Sequence, residues 1–82
     1  MKDKKTALIT AAGRGIGGAI ATEVAGDGYQ VFLMSASGGA EKLAAELGGV
    51  GLTGSVTETK DLAKLVDQAM TATGRIDAVI NN

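Results

Sequence analysis

The sequence has no cysteine, histidine, proline or tryptophan, and its only aromatic residues are one tyrosine and one phenylalanine. Without cysteine there are no disulfides and no thiolate metal sites, and without histidine the commonest metal ligand and general base are missing. A Ser-His-Asp or Cys-His nucleophile system therefore cannot be assembled from this chain. With only Tyr29 and Phe32 as aromatics, the core has to be aliphatic and thin. Excess charge of either sign is absent too: 8 basic against 9 acidic side chains leave a formal net charge of −1. That removes the electrostatic reason to expect nucleic acid or an anionic membrane as a partner. Apolar runs are only a few residues long, far below the roughly 20 that a transmembrane helix needs. The charged start Met1-Lys2-Asp3-Lys4-Lys5 leads into a run that stops at Thr10, so no signal-peptide core is expected. The expectation is a soluble, cytoplasmic segment, and at 82 residues one domain, residues 1–82, is the ceiling.

What is abundant is glycine, 13 residues scattered between apolar segments rather than gathered in one run. They read as punctuation at turns and element ends, not as a linker. Thr6-Ala7-Leu8-Ile9-Thr10 does not alternate apolar with polar, which predicts a strand buried on both faces. From Ile16 the period changes: Ile16, Ala19, Ile20 and Val24 recur as on one face of a helix, with Gly26 and Gly28 at its end. Val31 to Met34 predicts a second buried strand, Glu41 to Leu47 a short helix, and Val50 to Leu52 a weak third strand. Thr57 is the expected N-cap of a third helix, with Glu58 and Asp61 in its first turn where anions are favoured. Leu62, Leu65, Val66, Ala69 and Met70 trace that helix's apolar stripe. Ile76 to Ile80 predicts a fourth strand. Strands alternating with helices through short glycine turns imply parallel pairing and right-handed crossovers. The predicted fold class is therefore α/β, the first half of a parallel doubly wound sheet in the order β-α-β-α-β-α-β.

Ile9-Thr10-Ala11-Ala12-Gly13-Arg14-Gly15-Ile16-Gly17 lies where the first strand turns into the first helix. A helix N-terminus offers unpaired N–H groups and partial positive charge, so a phosphate is stabilised there. Glycine is needed where the backbone comes close to the ligand or adopts positive φ, and Gly15 and Gly17 are the candidates for those roles. A plain strand-to-helix turn is the alternative for a lone G-x-G. The complete alternating pattern on either side favours phosphate binding.

Residues 10–17 resemble T-G-x-x-x-G-x-G, the fingerprint of the short-chain dehydrogenase/reductase family. Asp77-Ala78-Val79-Ile80-Asn81-Asn82 is similar to that family's fourth strand running into N-N-A-G, and the spacing between the two motifs fits as well. The resemblance covers the whole chain, roughly the first third of a typical member. It implies a Rossmann-type sheet of order 3-2-1-4 and hydride transfer between a nicotinamide cofactor and a carbonyl or alcohol substrate. It places the dinucleotide on Ala11, Gly13, Arg14, Gly15, Ile16 and Gly17, on Ser35, Ala36 and Ser37, on Ser55 and Val56, and on Asn81 and Asn82. For the two asparagines, a strand-terminating turn remains the other reading.

Three departures from the family pattern stand out. Ala11 occupies the place of the first glycine, so the turn must tolerate a methyl group. Ser55 stands where many members carry an aspartate against the adenine; its hydroxyl can still donate or accept. The family's Ser and Y-x-x-x-K catalytic residues have no counterpart here: Tyr29 is followed at i+4 by Leu33 and reads as structural. No catalytic residue is therefore assigned, and Asp77 reads as a cap or turn ligand. At the end of the second strand, Ser35-Ala36-Ser37 offers no carboxylate to repel a 2′-phosphate, and Arg14 is a cation available to it unless it points into solvent. NADP(H) is accordingly favoured over NAD(H). By resemblance a homodimer or homotetramer is expected. Two accounts follow: the cofactor-binding half of a longer oxidoreductase, or an inactive truncated nucleotide-binding module whose fourth strand, Ala78-Val79-Ile80, is an exposed apolar edge inviting association.

Overall fold

The computed structural model describes residues 4–13 and 15–81. The elements run β1 (Thr6–Thr10), α1 (Gly15–Gly26), β2 (Gln30–Ser35), α2 (Gly39–Leu47), β3 (Val50–Thr53), α3 (Thr59–Thr73) and β4 (Ala78–Ile80). The strands form one parallel sheet in the order β3-β2-β1-β4, as the resemblance implied. Every residue of β1 and of β2 is buried, which is what their unbroken apolar character requires.

The period of two in the strands divides the core. Ala7, Ile9, Val31 and Leu33 face α1 and α2, where they meet Ala21, Ala40 and Ala44. Leu8, Phe32 and Met34 face the other way, onto Leu65 and Ala69 of α3. Alanines on the helices let the backbones come close to the sheet, which is how a chain with two aromatics fills its core. Tyr29 is partly buried against the first cluster, with the Lys5 ammonium 6.0 Å from its ring centroid. Gly48 and Gly74 close α2 and α3 in the left-handed conformation, each donating its N–H back into the last turn; such a cap suits glycine. No helix among the described residues is long and apolar enough to cross a membrane.

β2 extends one residue at each end beyond the expected Val31 to Met34, and β3 one residue beyond Leu52; the boundaries of α3, α2 and β4 differ for reasons that hydrogen bonds supply. α3 is capped by Glu58 without a side-chain bond, not by Thr57. The Thr57 hydroxyl instead lies 2.7 Å from Ser55 Oγ, and the Thr57 N–H donates to that same oxygen. α2 starts at Gly39, two residues before Glu41, because Ser35 Oγ accepts the Ala40 N–H at 3.0 Å. β4 is confined to Ala78–Ile80; at Asp77 one bond to Thr6 is still made by the main chain and the other by the side chain. Its N–H donates to Thr6 O at 2.9 Å and its Oδ2 accepts the Thr6 N–H at 2.8 Å.

Around that bridge lies a small polar lock at the amino end of the sheet. Thr6 Oγ1 donates to Thr73 Oγ1 at 2.7 Å, and the Thr73 hydroxyl is 3.0 Å from the Ala69 carbonyl; both threonines are buried. The Arg75 guanidinium grips the Asp77 carboxylate. Arg75 first, and the Thr6 N–H second, hold the Asp77 carboxyl below its ordinary value. A depressed carboxyl contributes stability that is present above the unfolded value, about 3.9, and disappears as pH falls through the lower folded value. Asp77→Ala is therefore expected to lower the urea midpoint at pH 7, with the difference from wild type shrinking across that acidic window. A constant difference at all pH values would contradict the assignment.

Candidate functional site

Because all four strands are parallel, their carboxyl ends lie along one edge of the sheet. The segments after them, residues 11–13, 36–38 and 54–58, gather there. The chain runs outward from β1 to β2 and β3, then returns to place β4 on the other side of β1. Such a reversal opens a crevice beyond the strand ends, the usual ligand position in doubly wound sheets.

The β1–α1 loop is shaped by two close approaches. The Ala12 N–H donates to Met34 O at 3.1 Å, pulling the loop onto the end of β2 with Ala12 fully buried. Gly13 then passes Gly39 so tightly that a Cβ on Gly39 would sit 3.0 Å from Gly13 Cα and O. α1 begins at Gly15, and its first N–H groups have no acceptor within the helix. Ile16, in that first turn, is 74% exposed, an isolated apolar side chain beside backbone donors. Gly17 is buried behind it.

Ala11 adopts φ = 53°, the left-handed region that a Cβ makes unfavourable. The methyl is exposed and lines a cleft of about 140 Å3 together with Met34, Ser35, Ala36, Gly54, Ser55 and Val56. Five of the residues marked out in the sequence, Ala11, Ser35, Ala36, Ser55 and Val56, thus come together from the end of β2 and three loops. A larger hollow of about 420 Å3 lies between α3 and the Phe32–Val50 side of the sheet. No loop from a strand's carboxyl end enters it, so the smaller cleft is the chemical candidate.

Ser35 is turned inward. Its Oγ accepts the Ala40 N–H and donates to Ser37 O at 2.6 Å, so its one proton is committed to the turn 35–38 that starts α2. Ser37 is accordingly held by its carbonyl, with its side chain at the exposed rim. On the facing wall, Gly54 N–H donates to Ser35 O at 2.9 Å and Ser55 N–H donates to Asp61 Oδ2 at 3.0 Å. Asn81 follows β4 at the chain reversal, its Oδ1 accepting the Thr10 hydroxyl at 3.0 Å. Arg14 and Asn82, also marked out in the sequence, lie outside the described residues.

The structure adds Met34, Gly54 and Asp61 to the residues that shape this edge. Met34 was legible as strand but not as cleft floor, because a buried strand's last residues look like core. The Ser55–Asp61 pairing had a weak signal, an aspartate at the third position of α3 able to reach back over the turn. Replacing Ala11 by glycine is expected to stabilise the chain by about 0.5–1 kcal/mol, the relief of left-handed strain outweighing the added freedom of the unfolded chain. A raised urea midpoint for Ala11→Gly checks this; a lowered one would mean the methyl makes a compensating contact.

The profile of the short chain dehydrogenase family matches residues 5–82. The oxidoreductase UcpA of Salmonella typhimurium is 43% identical over 83 residues, covering 95% of this chain and 32% of that protein. The 3-oxoacyl-[acyl-carrier-protein] reductase FabG of Haemophilus influenzae is 38% identical over 81 residues, covering 95% of this chain and 34% of that protein. Among solved structures, the 3-ketoacyl-(acyl-carrier-protein) reductase of Brucella melitensis complexed with NADH superposes with a TM-score of 0.85 at 31% identity, covering 92% of this chain and 32% of that one. The chain thus spans about a third of the length of the relatives it matches.

Proposed function

The chain belongs to the short-chain dehydrogenase family, and on that premise we propose that it holds the dinucleotide in an oxidoreductase acting on a carbonyl or alcohol substrate. The observation that carries the reading is the convergence of Ala11, Ser35, Ala36, Ser55 and Val56 on one cleft beside the N-terminus of α1. A nicotinamide cofactor bound there would give hydride to a carbonyl in its reduced form or take it from an alcohol in its oxidised form, and the protein's share is placement. The first N–H groups of α1, at Gly15, Ile16 and Gly17, take the pyrophosphate, with the helix dipole favouring its charge. The apolar walls of the cleft, Ala11, Ala36 and Val56, would hold the adenine ring, with Ser55 available as a polar neighbour. Ile16 would lie over the pyrophosphate on the solvent side, and Asn81, tied to Thr10, would border the cofactor at the chain reversal.

NADP(H) is the favoured cofactor. Ser35, Ala36 and Ser37 present no carboxylate at the end of β2, so nothing there repels a 2′-phosphate, and Arg14 supplies the cation for it. The Brucella relative was solved with NADH, which supports a nicotinamide cofactor and leaves the ribose preference to this chain's own residues. Proton transfer to the substrate falls to groups other than Tyr29, which is packed against the core. The same reading takes the protein to be a cytoplasmic homo-oligomer.

Titration calorimetry of NADPH and NADH onto the chain tests this. NADPH is expected to bind more tightly, and Arg14→Ala to weaken NADPH by about tenfold, as loss of one charge-assisted phosphate contact implies, with a much smaller loss for NADH. Equal losses would overturn the NADP(H) preference, and uptake of neither cofactor would overturn the nucleotide reading itself.

A further inference from the structure

The wall of the cleft formed by Gly54, Ser55 and Val56 is loop, not strand, since β3 ends at Thr53. At its start it is fixed to β2 by the Gly54 N–H on Ser35 O. Beyond its middle the bonds among the described residues are local: Thr57 N–H to Ser55 Oγ, Glu58 N–H to Ser55 O, and Glu58 O taking the Asp61 and Leu62 N–H groups where α3 begins. They close the turn and lead it into the helix. The side chain that reaches back to the wall itself is that of Asp61. It stands in the first turn of α3, a helix anchored through Leu65 and Ala69, and its Oδ2 takes the Ser55 N–H at 3.0 Å. The carboxylate also lies directly against Gly54: a Cβ there would fall 3.0 Å from Asp61 Cβ, Cγ and Oδ2. One side chain thus braces two consecutive cleft residues from below.

We propose that Asp61 is a positioning residue for adenine recognition, its carboxylate holding the Gly54–Val56 wall in the shape against which the ring lies. The proposal rests on the nucleotide reading above and goes beyond it by assigning specificity to a residue that lines no part of the cleft. A hydrogen bond accepted by a carboxylate is stronger than a neutral one. Removing it frees the wall, and a ligand that needs the wall ordered must then supply the ordering itself. A ligand held by the α1 N-terminus alone does not.

The two probes are therefore AMP, which carries the ring, and inorganic pyrophosphate, which does not, each titrated onto the 82-residue chain. Asp61→Ala is expected to raise the AMP dissociation constant about tenfold while leaving pyrophosphate binding within about twofold; Asp61→Asn, which keeps an acceptor oxygen, restores AMP to within about threefold of wild type. In the wild type, without any substitution, the Ser55 amide is expected to be protected from hydrogen exchange before nucleotide is added. Unchanged AMP binding in Asp61→Ala, equal losses for both probes, or an unprotected Ser55 amide would each overturn the proposal. Failure of the wild type to bind either probe overturns the nucleotide reading instead, a separate result.

Discussion

Burial of β1 and β2 on both faces is the constraint from which the rest of the structure follows. A strand with no polar face has to lie between two helical layers, and parallel strands have to be joined by crossovers. In this chain the two requirements are met by α1 and α2 over Ala7, Ile9, Val31 and Leu33, and by α3 over Leu8, Phe32 and Met34. α3 reaches the opposite face by crossing back over β1, and β4 then pairs on the far side of β1. The chain reversal, and with it the crevice at the strand ends, thus goes together with the covering of the sheet's second face.

The candidate site uses positions where the core's demands have been met and a few where they conflict. Gly13 and Gly39 approach closely because the loop must leave β1 beside the start of α2. Ser35 holds that start in place with both its lone pair and its proton, so the residue that resemblance assigns to the ribose is first a bracket for a helix. Ala11 holds a left-handed conformation with a methyl group, a strain typical of ligand-shaping turns. At the opposite end of the sheet, Thr6, Thr73, Arg75 and Asp77 tie β1, α3 and β4 together, which leaves the carboxyl edge free of structural ion pairs among the described residues.

Much of this was legible in the residues. Thr6–Thr10 was readable as a doubly buried strand because it never alternates, and α3 because its stripe runs for more than two turns. The strand order came through resemblance, since periodicity alone does not say on which side of β1 the fourth strand falls. What escaped the sequence were the choices among competing hydrogen bonds. Thr57 has the chemistry of an N-cap, yet Ser55 two residues earlier offers a nearer partner. Asp77 was legible as a hydrogen-bonding cap, but not that its carboxylate takes the Thr6 N–H, with β4 starting at Ala78. The methyl of Ala11 was visible, but its positive φ depends on the Ala12–Met34 bond that bends the loop.

The central claim is that the carboxyl edge of the sheet, and no other surface, receives the dinucleotide. Mapping amide shift changes in the chain on titration with NADPH tests it most directly. The changes are expected on residues 11–17, 35–37, 54–56 and 81, with the turns at Gly28, Gly48 and Gly74 at the opposite end unmoved. Changes centred on those turns, or on the hollow beside Phe32 and Val50, would contradict it.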